Sequence, residues 1–263
     1  MPDSSPAVLD TVAVVAALGV AACRFDIDVV AECDSTNSRL LARAASGAAS
    51  GTVLAADAQT AGRGRLGRQW ASAPGDSLTF SLLWRFPPGS GAPAALSLAV
   101  GLALALGLEQ LGAAGVALKW PNDLLYRERK LAGVLIELQP GDIRSAVIGI
   151  GINLRRPCSL PPGVEAAALN EALAAVSREA VLGALLQNLC TTLDRYSNGG
   201  FAALRAEWQA RHAWAGRPVR ISGGGSDSSG RCLGVDDDGA LLLATESGMQ
   251  RVVSGDVSLR LAP

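Results

Sequence analysis

Between Arg85 and Glu109 the chain carries no charged residue. A run of that length must either cross a membrane or be buried in protein, and the choice decides what the molecule can be. Its first part, Pro87-Pro88-Gly89-Ser90-Gly91, has the chemistry of a loop. That leaves about one core-helix length over residues 93 to 111, with Ala, Gly and Ser packed through it. The segment therefore reads as a helix buried against a sheet. A second apolar run, Thr11 to Cys23, follows Asp3 and Asp10 and precedes the first basic residue, Arg24. A secretory signal carries its positive charge ahead of the apolar run, so neither stretch is a signal or a span.

Apolar residues make up 49% of the 263, enough for a large core and for a chain of one large domain or one plus a small one. A net charge of −1 gives no electrostatic footprint for nucleic acid or an anionic membrane. The five cysteines (Cys23, Cys33, Cys158, Cys190 and Cys232) are scattered and odd in number, with no C-x-x-C pair. They suit neither a disulfide framework nor a zinc site, and they fit a reducing cytoplasm.

In chain order, residues 7 to 22 suit a short helix and Phe25 to Val30 alternates like a strand. Asp34-Ser35-Thr36-Asn37 then opens a helix, and its hydroxyls and amide offer more hydrogen bonds than one cap uses. The surplus suits a small polar head group. Strands are expected at Thr52 to Asp57 and at Leu78 to Phe86. Val116 to Lys119 runs into a Pro121-Asn122-Asp123 turn and a further strand, which places a cation and a carboxylate at one strand end. Arg127-Glu128-Arg129-Lys130 is a charged hairpin tip ahead of the strand Leu131 to Leu138, so the Lys130 ammonium can reach along the sheet face. In the next strand, Ala146 to Leu154, Gly149 and Gly151 share a face, a pattern that marks close approach by a ligand or backbone. Asn153 stands at its end, where an adenine could be read. Residues 179 to 210 read as two helices joined near Ser197-Asn198-Gly199-Gly200. His212, the single histidine, is expected to be structural or exposed, and Glu109, Glu137 and Glu207 to be surface or helix charges.

Gly62-Arg63-Gly64-Arg65-Leu66-Gly67-Arg68-Gln69-Trp70 has the most concentrated chemistry. Glycines let the main chain bend close to a ligand, and guanidinium forks match phosphate or carboxylate geometry. The indole offers a face for a ring. Gly62, Gly64 and Gly67 match G-x-G-x-x-G, but no helix follows and no acid stands where a Rossmann fold would need one. The stretch reads as a flap over something flat and anionic, mobile when empty and ordered when occupied.

After Ala215 short strands alternate with turns such as Gly223-Gly224-Gly225 and Asp237-Asp238-Gly239. A small all-β barrel is expected there, giving domains of 1–214 and 215–263.

Five separated motifs carry a family resemblance: Ser35-Thr36-Asn37; Gln59 with Gly62-Arg63-Gly64-Arg65 and Trp70; Lys119-Trp120-Pro121-Asn122-Asp123; Lys130-Leu131-Ala132-Gly133; and Gly149-Ile150-Gly151-Ile152-Asn153. In order and spacing they resemble bacterial biotin protein ligase, and Arg217-Pro218-Val219 with Gly239 to Leu243 resembles its SH3-like C-terminal domain. The resemblance implies an α+β fold: a mixed sheet packed with helices, of the class II synthetase-like biotin/lipoate ligase type, plus the small barrel. It implies an enzyme that joins biotin and ATP into biotinyl-5′-AMP and then transfers biotin to a lysine of a biotin carboxyl carrier protein. A lipoate-type ligase or transferase, or a non-catalytic biotin sensor, is the alternative.

By family position, Lys130, Arg65 and Lys119 are the catalytic cations. Biotin is expected to meet Ser35, Thr36, Asn37, Gln59, Gly62, Arg63, Gly64, Arg65, Lys130, Gly133, Leu135 and Gly151. The nucleotide is expected to meet Arg63, Arg65, Arg68, Trp70, Lys119, Asn122, Lys130 and Asn153. Asn122 and Asp123 are expected either to hold Mg²⁺ or to orient the acceptor lysine. Leu66 stands where many relatives carry another basic residue, and only 34 residues precede Ser35, so no DNA-binding winged helix is expected. The partner implied is a carrier domain, with no nucleic acid and no membrane; a homodimer is compatible with the family.

Overall fold

The computed structural model describes residues 8–88, 93–157, 165–223, 227–255 and 257–262. Cys158, Gly224, Gly225 and the loop expected at Gly89–Gly91 lie outside them.

Seven strands form one mixed sheet: β1 (Asp26–Cys33), β2 (Thr52–Gln59), β3 (Ser77–Arg85), β4 (Val116–Lys119), β5 (Asp123–Tyr126), β6 (Arg129–Gln139) and β7 (Asp142–Asn153). Their order is β1-β2-β3-β7-β6-β5-β4, with β1 parallel to β2 and every other neighbour antiparallel. Side chains alternate across a strand, and the two faces have different work. Leu78, Phe80 and Leu82 of β3 and Ile148, Ile150 and Ile152 of β7 point into the main core. There they meet α3 (Leu96–Gln110) and α4 (Arg178–Gly199). The uncharged run is thus a helix buried nearly all round, as its composition required. Among the described residues no helix is long and apolar enough to cross a membrane.

The opposite face is covered by α2 (Thr36–Ala45) over a small cluster of Leu40, Ala44, Leu83 and Val147. Its N-cap is Ser35, whose side chain accepts from Ser38 N–H. The rest of that face is left open. The first helix, α1 (Thr11–Leu18), is shorter than expected and continues as a 3₁₀ turn, Gly19–Arg24. After α4, a 3₁₀ turn and α5 (Arg205–Ala210) lead to a five-stranded antiparallel sheet. Its strands are β8 (Pro218–Gly223), β9 (Ser228–Val235), β10 (Leu241–Thr245), β11 (Gly248–Val252) and β12 (Val257–Leu261), ordered β11-β10-β9-β8-β12.

This second sheet is fastened to the first body. The Trp120 indole N–H donates to Gly239 O at 3.0 Å in a buried contact, and Val235 N–H donates to Gln209 Oε1 at 3.2 Å. Arg205 pairs with Asp237 at 3.0 Å, and Arg217 pairs with Glu128 at the β5–β6 hairpin tip. Glycine is required at two of these contacts, because a Cβ on Gly234 would meet Gln209 at 2.3 Å and one on Gly239 would meet Ala95 at 2.2 Å. His212 sits in the same seam, buried, 4.8 Å from the Trp208 ring and 4.0 Å from Cys232 Sγ. Burial pushes its pKa down to about 4, so it is a neutral packing residue.

Candidate active site

The open face of the sheet floors a cleft of about 900 Å³, walled by the start of α2, the flap, the β4–β5 turn and strand β12. That is near the upper end for small-molecule sites. Gly133 of β6 stands directly opposite Gly151 of β7, and Leu135 opposite Gly149. The glycines do make room, but for side chains of this protein. A Cβ on Gly151 would lie 2.3 Å from the Trp70 ring, and one on Gly149 would lie 2.2 Å from Asn37 Oδ1. Trp70 therefore packs against the Gly133–Gly151 pair, and Asn37 reaches down to the sheet. Gly151→Ala should expel the indole and cut adenylate formation by about tenfold to a hundredfold. Unchanged circular dichroism with lowered ATP–pyrophosphate exchange is the expected result.

Lys130 reaches this face because of a bulge. The β5–β6 register shifts between Leu124 and Leu125, pairing Leu124 with Ala132 but Leu125 with Lys130. Simple alternation from Ala132 and Val134, both in the core, would have sent Lys130 inward. The extra residue re-aims it, and its Nζ comes to 3.1 Å from where a Cβ on Gly133 would be, 5.7 Å from the Trp70 ring centroid. The segment after β7 holds the bulge, with Lys130 N–H donating to Glu165 O and Ala167 N–H to Lys130 O.

Asp123 sits between two ammonium groups, 2.7 Å from Lys130 Nζ and 3.7 Å from Lys119 Nζ. The Lys130 contact, at Asp123 Oδ1, is a charge contact rather than an aligned hydrogen bond, and the Lys119 contact is at Oδ2. Lys119 also lies 4.9 Å from the Trp214 ring centroid. Burial lowers its pKa; Asp123 opposes the shift, while Lys130 and Arg260 reinforce it. The one carboxylate is already matched by two cations, and Asn122 Oδ1 accepts from Arg65 Nη1 at 2.9 Å while its Nδ2 donates to Val134 O. Among the described residues no group of three His, Cys, Asp or Glu side chains is placed to hold a metal. With one carboxylate and an amide that is already engaged, Asn122 and Asp123 would hold Mg²⁺ only together with its waters and the nucleotide phosphates.

The polar head-group end is built around α2. Thr36 N–H donates to Gln59 Oε1 at 2.8 Å, and the Thr36 hydroxyl does so at 3.1 Å. The flap is folded down: Arg63 bridges to Gln69, Gly64 N–H donates to Arg68 O at 2.7 Å, and Trp70 N–H to Gly62 O at 2.9 Å. Leu66 at its tip has φ 60°, an uncommon conformation for a bulky residue, and is followed by Gly67 at φ 69°. Arg65 also donates to Gly255 O in the second sheet.

Of the residues singled out from sequence, Ser35, Thr36, Asn37, Gln59, Arg63, Gly64, Arg65, Arg68, Trp70, Lys119, Asn122, Asp123, Lys130, Gly133, Leu135, Gly151 and Asn153 all line the cleft. Gly62 lines a smaller cavity of about 370 Å³ beneath the flap instead. Asn153 does so with both amide hydrogens engaged, donating to Lys130 O and Ala167 O, so its Oδ1 alone is left for a ligand. Glu137 is no surface charge. Its Oε2 accepts from Arg63 at 2.6 Å and from Asn37 at 2.8 Å, and the alternation Gly133, Leu135, Glu137 was the signal for it. Trp214 and Arg260 of β12 also border the cleft, with no signal in the sequence to link them to it.

Residues 30–153 match the family described as Biotin/lipoate A/B protein ligase, and residues 215–260 match the Biotin protein ligase C terminal domain. The chain is 38% identical to the bifunctional ligase/repressor BirA of Escherichia coli, over 87% of this chain and 72% of that one. It is 39% identical to the biotin–[acetyl-CoA-carboxylase] ligase of Mycobacterium tuberculosis, over 88% of each. Its fold superposes on the biotin protein ligase of Aquifex aeolicus, solved with biotin and ATP, with a TM-score of 0.80 at 32% identity. That match covers 90% of this chain and 99% of the other. The class defined is the biotin/lipoate protein ligases. Within it, this chain belongs to the biotin protein ligase family.

Proposed function

We infer that the cleft carries both halves of biotin ligation: the protein is an ATP-dependent biotin protein ligase. The observation that supports this most is the placing of Lys130, Lys119 and the flap arginines around one cleft on the open face of the sheet. The biotin carboxylate attacks the α-phosphorus of ATP, giving biotinyl-5′-AMP and releasing pyrophosphate. The amine of an acceptor lysine then attacks the acyl carbon, forms the amide and expels AMP.

Two anions must meet in the first step, so fixed positive charge is the main requirement. Lys130 stabilises charge developing on the α-phosphate and the attacking carboxylate, with Lys119 and Arg65 on the phosphate side. In the free protein Asp123 holds the two ammonium groups near the place the phosphate takes. Thr36, Gln59 and the Arg63 region hold the ureido ring, and the exposed face of Trp70 packs on the adenine, with Asn153 Oδ1 at its edge. The flap excludes water from an acyl-adenylate that would otherwise hydrolyse. The acceptor we assign is the biotin carboxyl carrier domain of acetyl-CoA carboxylase, and the compartment the cytoplasm, where ATP and reduced thiols coexist. The relatives named as biotin ligases favour this reading over a lipoate enzyme or a non-catalytic sensor.

Pyrophosphate exchange into ATP should depend on biotin and not on lipoate, and adding the carrier domain should label one lysine. Lipoate-dependent exchange would move the protein to the sister activity. Tight biotin binding without exchange would remove the catalytic roles.

A further inference from the structure

A polar chain runs beneath the flap and joins it to α2, β6, β3 and the end of β2. Arg63 of the flap and Asn37 of α2 both donate to a single oxygen of Glu137 on β6, at 2.6 Å and 2.8 Å. Asn37 Oδ1 lies 2.5 Å from the Ser81 hydroxyl of β3, which lies 2.7 Å from Thr36 Oγ1, and Thr36 donates to Gln59. Gly149 keeps this path open, because any larger residue there would displace Asn37. A carboxylate that accepts from a guanidinium and an amide at once is a strong, directional anchor. The Glu137 side chain is 24% exposed, so the pair is only partly screened.

We propose that Glu137 is a positioning residue that locks the first arginine of the flap to the helix start that receives the ureido ring. It touches no reacting atom. Through it, occupancy of the head-group end and closure of the flap become one event, so Glu137 sets biotin affinity and retention of the adenylate. The inference rests on the biotin-ligase reading, and it adds a residue that acts through Arg63 and Asn37.

The test compares wild type, E137A and E137Q in biotin-dependent pyrophosphate exchange, in release of biotinyl-5′-AMP, and in amide hydrogen exchange over residues 62–69. E137A is expected to raise the KM for biotin about tenfold, with kcat and the KM for ATP within about threefold. Adenylate should escape about tenfold faster, and the flap amides should exchange faster without any ligand. E137Q keeps the shape and an acceptor for Asn37 and should fall between the two; if E137A fails to fold, E137Q decides by the same readouts. Unchanged biotin KM and flap exchange would overturn the proposal. So would an even fall in kcat and both KM-dependent terms with a lowered Tm, which is what a purely structural role gives. If wild type itself shows no biotin-dependent exchange, the functional reading fails, and flap exchange alone then decides the role of Glu137.

Discussion

Replacing Lys130 by alanine should lower biotin-dependent pyrophosphate exchange about a thousandfold while leaving the fold intact. The rate term follows from removing a preorganised cation from a water-poor site, where one such group supplies roughly two to three powers of ten. A second partner at the same site, Asp123, then keeps only the more distant Lys119, at 3.7 Å, which adds to the loss. The fold survives because the bulge is held by main-chain bonds at Lys130 N and O, which alanine keeps. Lys130→Met separates charge from bulk: it retains the stem over Gly133 and should fail as completely as alanine. Single-turnover formation of biotinyl-5′-AMP is the measurement, with thermal denaturation as the control. Turnover within tenfold of wild type in either variant would remove Lys130 from the chemistry.

Acid should loosen the seam between the two sheets, and His212 is the group responsible. Its folded pKa is about 4 against 6.5 for an ordinary histidine, because the ring is buried. Between those two values the unfolded chain holds a proton that the folded chain does not. Stability therefore rises with pH across that window, and what is present above pH 6.5 is lost as the pH falls towards 4. The full loss is about 3 kcal/mol. Urea midpoints at several pH values, compared between wild type and His212→Phe, isolate this contribution from that of the carboxylates. Parallel pH profiles for the two proteins would show that His212 is not responsible.

The residues that line the cleft were legible because each motif stands at a strand end or a helix start, where local chemistry shows in a few consecutive residues. Ser35 to Asn37 announced a cap, and the uncharged run announced α3. What stayed hidden depends on contacts between segments far apart in the chain. Glu137 looked like an isolated surface acid because its partners, Arg63 and Asn37, lie 74 and 100 residues away. Gly149 and Gly151 announced a close approach, but only the sheet register shows that Asn37 and Trp70 are what approaches. Asp123 beside Asn122 suggested either a metal or a guide for the acceptor lysine, and only the fold shows Lys119 and Lys130 on either side of it. Strand β12, which brings Arg260 to the cleft, carried no local mark of its role.

The fastening of the second sheet has a consequence for traffic. The wall is tied to the first body at Trp120, Gln209, Arg205 and Arg217. The flap, tethered by a handful of polar contacts, is the door. On the function proposed above, a vitamin, a nucleotide and a carrier domain all have to meet at the one cleft beside that flap, and the small substrates must be there before the carrier.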